Sequence, residues 1–294
     1  MKKLKKEDIT QEVFDLYDDY AHDRIPRRLF LDKLSTYAVG GITVGSLLGF
    51  ISPDYIKKIQ IPQDDARLNT SYIEYDSPKG GGTIKGLLSK PANSKTKLPG
   101  IIVVHENRGL NPHIEDVGRR AALAGFISLA PDALTPLGGY PGTDDEGREL
   151  QRKRDRNEML EDFIAAFNHL KNHPECTGKV GVVGFCFGGW ISNMMAVKVP
   201  ELGAAVPFYG GQPTENIAAI NAPLMLHFGE LDKRVNAGWP AYEAALKEND
   251  KEYIGYMYNN ANHGFHNDTT PRYDREAAEL AWKRTIEFFK EKLS

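Results

Sequence analysis

The sequence predicts an α/β fold with a mostly parallel central sheet and helices on both faces. Three observations predict it. Short apolar runs alternate with helix-length amphipathic stretches, and residues 100–105 form a run apolar enough to be buried on both sides. Third, residues 180–183 form an apolar run that leads through a glycine-rich turn into a helical segment near Trp190. The 294 residues are 41% hydrophobic and 26% charged, as expected of a soluble globular chain. A net charge of -3 offers neither the basic excess that suits nucleic acid nor the acidic excess of a disordered chain. The two cysteines, Cys176 and Cys186, make neither a disulfide framework nor a zinc-type pair and fit a reducing compartment.

Residues 1–60 read as a helical extension and residues 61–294 as the main domain. Residues 7–22 suit a charged amphipathic helix with Val13, Leu16, Tyr17 and Tyr20 on one face. Arg27 and Arg28 then precede the apolar residues 38–51, a pattern resembling a twin-arginine export signal. Eight acidic residues among the first 32 oppose that reading, and no small-residue cleavage site follows Pro53. Fourteen apolar residues are also too few to span a bilayer comfortably. The balance favours a packed extension on a cytoplasmic protein. The alternative is a periplasmic or membrane-anchored one, with any membrane contact confined to residues 27–51. Lys2, Lys3, Lys5 and Lys6 read as a solvated tail because Glu7 and Asp8 interrupt them.

In the main domain, residues 71–76 and 84–89 alternate about a Gly80-Gly81-Gly82 turn, which predicts a hairpin. Strand 100–105 precedes a helix over 112–124 and a strand over 126–129. A periodic helix over 152–172 leads to the strand before Cys186. Strands over 204–209, 224–228 and 253–258 follow, and an amphipathic helix over 275–293 closes the chain.

The chemistry centres on Gly184-Phe185-Cys186-Phe187-Gly188-Gly189. This is a nucleophile elbow, G-x-S-x-G, with cysteine in the serine position. Its glycines let a tight strand-to-helix turn pass close to its neighbours, and the helix N-terminus beyond it favours a thiolate. A cysteine nucleophile needs a base and a group to orient that base. Asp232 follows strand 224–228 and His263 follows strand 253–258, so both stand at strand ends in the order nucleophile, acid, histidine. The backbone N–H of Phe187 is one candidate oxyanion donor, and that of Glu106 or Asn107 after strand 100–105 is the second.

These motifs, together with His105-Glu106-Asn107-Arg108-Gly109, Ala130-Pro131-Asp132, Phe208-Tyr209-Gly210-Gly211 and His263-Gly264-Phe265, resemble the dienelactone hydrolase family. The resemblance covers residues 70–292 and implies an α/β-hydrolase fold. It implies Cys186 as nucleophile, His263 as base, Asp232 as its orienter and Glu106 as an accessory carboxylate near the thiol. The expected reaction is attack on a small-molecule lactone or ester, an acyl-thioester, and hydrolysis by water. Two arginines that hold a substrate carboxylate in the family have no counterpart: none follows Asp132, and Asn267 stands four residues after His263. Arg108, Tyr209 and Asn267 are the candidate substrate contacts, and Gly- and Asp-rich residues 132–148 are placed to cover the site.

The alternatives are a general carboxylesterase or thioesterase on the same triad, or a non-catalytic binding protein with a vestigial one. No cofactor or metal is expected, since His263 and His266 lack further ligands at conventional spacing and His266 reads as a surface residue.

Overall fold

The computed structural model describes residues 4–55 and 58–294. Lys2 and Lys3 therefore lie outside the described residues. The chain opens with helices α1 (Gln11–Ala21), α2 (Arg27–Ser35) and α3 (Val44–Ile51). A hairpin, β1 (Leu68–Ser77) and β2 (Gly82–Pro91), leads to β3 (Leu98–Val104), α4 (Pro112–Leu123) and β4 (Ile127–Pro131). Next come α5 (Asp144–Gln151), α6 (Arg156–Lys171), β5 (Cys176–Phe185), α7 (Phe187–Lys198) and β6 (Ala204–Phe208). The chain ends with β7 (Leu224–Gly229), α8 (Lys233–Asn236), α9 (Trp239–Glu248), β8 (Tyr253–Tyr258) and α10 (Arg275–Lys292).

The strands form one eight-stranded sheet in the order β1-β2-β4-β3-β5-β6-β7-β8. β1, β2 and β4 pair antiparallel, and every pairing from β4 through β3 to β8 is parallel. Alternate residues of each strand feed two cores. Ile102 and Val104 face the cluster holding Leu160 and Phe163 of α6 and Met195 of α7. Ile101 and Val103 face the opposite cluster with Val117 of α4 and Phe289 of α10. Because β3 and β5 to β8 run parallel, their carboxyl ends lie along one edge, where α/β sheets collect ligand-facing groups.

Several boundaries differ from the sequence expectation. The helix after the elbow starts at Phe187, directly after Cys186 and not near Trp190. The helix expected over 152–172 begins at Arg156, where the Asp155 side chain accepts from the Asn157 and Glu158 N–H groups. Residues 144–148, expected within a covering loop, fall in α5, which has Thr143 as its N-cap.

Residues 27–51 hold two short helices, with Arg27 and Arg28 opening α2. Gly40 and Gly41 take φ of +60 and +86 between them. Phe30, Leu34, Leu47 and Ile51 are buried with Val13, Phe14 and Tyr17 of α1 in a third core. Among the described residues no helix is long and apolar enough to cross a membrane. The segment continues across the domain: Asp116 on α4 accepts the N–H groups of Gln60 and Ile61, and Thr269 O accepts that of Asp54.

Candidate active site

β5 delivers Cys186 at a sharp turn with φ +57 and ψ -108, a backbone region that side chains other than glycine rarely occupy. The Cys186 N–H donates to Phe208 O at 3.1 Å and ties the turn to β6. Glycine is obligatory around it. A Cβ on Gly184 would lie 2.0 Å from Gly188 O, and one on Gly188 would lie 2.4 Å from Val104 O. The thiol is buried, 8% exposed, at the first turn of α7, where the helix dipole favours negative charge.

His263 and Asp232 meet at this edge. His263 Nδ1 lies 2.5 Å from Asp232 Oδ2, and Asp232 Oδ1 accepts the Val235 N–H at 3.1 Å. Burial disfavours the charge on Asp232, but His263 and Arg234 outweigh it and hold the carboxyl below its ordinary range. A ring nitrogen of His263 lies within 4.8 Å of Cys186 Sγ. The three side chains expected to act together thus share one site.

Glu106, just past β3, is 4% exposed and accepts from Asn267 Nδ2 at 3.1 Å. Burial works against its charge, yet Arg108, His113 and Arg272 keep its pKa below the usual value. Asn267 is fully buried and commits its amide to Glu106 and its carbonyl to Thr269, so it holds a carboxylate in place and offers nothing to a substrate. Arg108, also expected to contact substrate, is instead buried and ion-paired with Asp144 of α5. Asn107 donates its amide to Ala21 O at 2.6 Å, a contact with the end of α1. Phe187, at the first position of α7, carries one of the N–H groups that a helix start leaves without an intrahelical partner. Tyr209 stays at the site: its ring packs edge-on to His263 at 5.0 Å, and its buried hydroxyl has no hydrogen bond. His266 is no surface residue. It is 3% exposed among Phe185, Phe208 and Trp282, and burial pushes its pKa well down.

Two residues escaped the sequence reading. His22, at the end of α1, places Nε2 3.1 Å from Cys186 Sγ. Its Nδ1 lies 2.9 Å from Asp18 O and 3.1 Å from Asp18 Oδ1. Arg272 is 3% exposed, lies 5.0 Å over the Tyr17 ring, and has no hydrogen bond to Nε or Nη1. Arg272, Arg234, Asp18, Phe14 and His263 line a cavity of about 350 Å³ between α1 and the sheet edge. No motif marks His22; the only local signal is Asp18 four residues before it on a helix.

Cys186, His22 and His263 also form the trio of ligand atoms able to hold a metal among the described residues, all within 4.8 Å of one another. Two imidazoles and a thiolate are a donor set suited to zinc, with Asp18 and Asp232 behind the rings. Sequence spacing could not reveal it, since His22 comes from the extension.

Residues 84–293 match the model of the dienelactone hydrolase family, and residues 1–40 match a separate model described as YqhI-like. A Saccharolobus solfataricus protein provisionally named a carboxymethylenebutenolidase is 31% identical over 258 residues, 74% of this chain and 97% of that protein. A protein named usf from Aquifex pyrophilus is 34% identical over 76% of this chain and 98% of its own length. Among solved structures, a provisionally named dienelactone hydrolase from Klebsiella pneumoniae superposes with a TM-score of 0.66 and 26% identity, covering 76% of this chain and 99% of that one.

Proposed function

The chain belongs to the dienelactone hydrolase family, and from that premise we propose that it cleaves a lactone or carboxylic ester through an acyl-thioester on Cys186. The observation that carries this reading is the 2.5 Å His263–Asp232 pair standing over a cysteine at a strained elbow. The Cys186 thiolate attacks the carbonyl carbon, and the electrons pass to the oxygen. The Phe187 N–H at the start of α7, with that of Glu106 or Asn107 after β3, stabilises the resulting oxyanion. Collapse expels the alkoxide. Asp232 orients His263 and stabilises its imidazolium while the ring takes a proton from the water that opens the thioester. A cavity of about 350 Å³ lies within the usual range for small-molecule sites.

The test is pre-steady-state hydrolysis of a p-nitrophenyl ester with intact-protein mass measurement on the quenched mixture. One equivalent of nitrophenol released in a burst, with an acyl adduct mapped to Cys186, is the expected result. Equal turnover by a folded Cys186→Ala variant, or an adduct elsewhere, would overturn the proposal. Comparing small lactones with acyl esters and thioesters of graded length then distinguishes lactonase from general esterase or thioesterase chemistry.

A further inference from the structure

The thiol of Cys186 has an imidazole at hydrogen-bond distance, and it is not the one beside Asp232. His22 Nε2 lies 3.1 Å from Sγ, whereas no hydrogen bond joins Cys186 to His263 in the described structure. His22, like His263, has an aspartate at Nδ1, but its hydrogen bond is to the Asp18 backbone carbonyl and the carboxylate lies beside it. Its Nδ1 faces a carboxylate, Asp18 Oδ1, at 3.1 Å, and a backbone carbonyl at 2.9 Å, which fixes the ring with Nε2 towards the sulfur. The site therefore holds two imidazole–carboxylate pairs, one from the sheet edge and one from the N-terminal segment.

That segment is anchored where it must be for this role. The Asp18 carboxylate also meets Arg24 at 2.8 Å, Arg234 at 3.5 Å and Arg272 at 3.8 Å. The carbonyls just before His22 are held too: Tyr20 O accepts from Arg148 at 2.7 Å, and Ala21 O accepts from Asn107 at 2.6 Å. Asn107 neighbours Glu106, so the loop that carries the accessory carboxylate also holds the end of α1. Glu106 itself is occupied by Asn267.

We infer that His22 is a catalytic residue: its Nε2 takes the Cys186 proton, and the N-terminal segment thereby completes the nucleophile. This rests on the proposed cysteine chemistry above. In the resting site the proton moves from Sγ to His22 Nε2. The thiolate forms the C–S bond, and the departing alkoxide takes that proton back from His22. His263 then removes a proton from water, the hydroxide opens the thioester, and the carboxylic acid and thiolate are released. The proton left on His263 passes to His22, whose ring centre lies 4.8 Å from its own, and the resting pair is restored. The net reaction is ester plus water to acid plus alcohol.

The surrounding charges act in both directions. Asp18 and the thiolate favour protonated His22. Arg234, whose Nη2 lies 3.2 Å from His22 Nε2 and 3.3 Å from His263 Nδ1, opposes it. Asp232 stands behind His263. Tyr209 at the β6 end and Arg156 of α6, which brings positive charge, interact with the sulfur.

The decisive measurement is the rate of iodoacetamide alkylation of Cys186 near neutral pH in the full chain, read by peptide mass mapping so that Cys176 does not contribute. It needs no ester substrate. In His22→Ala and His22→Gln the rate near neutral pH should fall about tenfold or more, while His263→Ala keeps it. With an activated ester, His22 variants should lose the burst rate near neutral pH, and His263→Ala should retain a burst without turnover. Thermal melting identifies variants that fail to fold, and the paired substitutions Ala and Gln separate a lost base from a lost contact. Unchanged alkylation rates in both folded His22 variants would overturn the inference. Slowed alkylation in the His22 variants with no burst in any protein would instead refute the ester-hydrolase reading and leave the thiol–His22 pair standing.

Discussion

His22 and His263 stand edge to face, ring centres 4.8 Å apart and planes at 85°, above the sulfur of Cys186. One ring arrives from a helix that ends near residue 21 and the other from the loop after β8. Each is held through Nδ1 by an aspartate, Asp18 in the first case and Asp232 in the second. The two pairs make different predictions because they are proposed to act on different protons.

Replacing Asp232 by Asn should remove the acceptor that fixes His263 while keeping its volume. The amide can present N–H to Nδ1 and favour the wrong tautomer. A fall in kcat of about 10²- to 10⁴-fold with little change in KM is expected. Steady-state kinetics on a neutral aryl ester check it. A KM effect with unchanged kcat would instead assign Asp232 to binding.

The docking of α1 should depend on pH in a defined direction. His22 has its folded pKa raised above 6.5, so its contribution is complete below 6.5 and is lost as pH rises through the raised value. Asp18 is disfavoured as an anion by burial, but His263, His22 and Arg234 depress its pKa, so its contribution is present above 3.8 and lost as pH falls. The Tm difference between wild type and His22→Ala should therefore be larger near about pH 5.5 than near about pH 9. A difference that is constant, or that grows with pH, would show that His22 gains nothing from its neighbours.

Much of the main domain was legible in the sequence, for physical reasons that can be named. Residues 100–105 and 180–183 are apolar on both faces because both cores need them, as Ile101 and Ile102 show by pointing into opposite clusters. Asp232 and His263 were visible because short apolar strands end just before them, and parallel strands align such ends. What was hidden depended on long-range packing. His22 meets Cys186 across 164 positions, and nothing within residues 7–22 encodes the meeting. Asn267 resembled a substrate contact by position, but its burial beside Glu106 turns it into a support. His266 sits in a run of polar residues, yet three aromatic rings enclose it. α5 had a local signal, Thr143 followed by Asp144, Asp145 and Glu146, that its glycine obscured. That same Gly147 is needed because a Cβ there would lie 2.3 Å from Arg108 O.

The elbow should not tolerate a methyl group. In Gly188→Ala the added carbon would meet Val104 O at 2.4 Å, and both partners are backbone that cannot swing away. The cost should reach or exceed about 3 kcal/mol, the upper part of the usual overpacking range. Denaturant melting measures it. A loss below about 1 kcal/mol would mean that β3 and α7 separate more easily than their close packing implies.

Arg272 supplies the last prediction. Its guanidinium is 3% exposed on the cavity wall, with Nε and Nη1 lacking hydrogen bonds and Asp18 only at 3.8 Å. A buried cation with spare donors is costly unless an anion completes it, and a carboxylate matches the guanidinium fork. Arg108 cannot serve, being taken by Asp144. Arg272→Met should therefore raise KM for an ester bearing a free carboxylate by about tenfold to a hundredfold, as expected for losing a charged hydrogen bond. It should leave KM for the corresponding methyl ester nearly unchanged. Parallel steady-state kinetics on the two esters read the difference. If both KM values rise together and the melting temperature falls, Arg272 holds Tyr17 and Asp18 of α1 in place and does not read the substrate's charge.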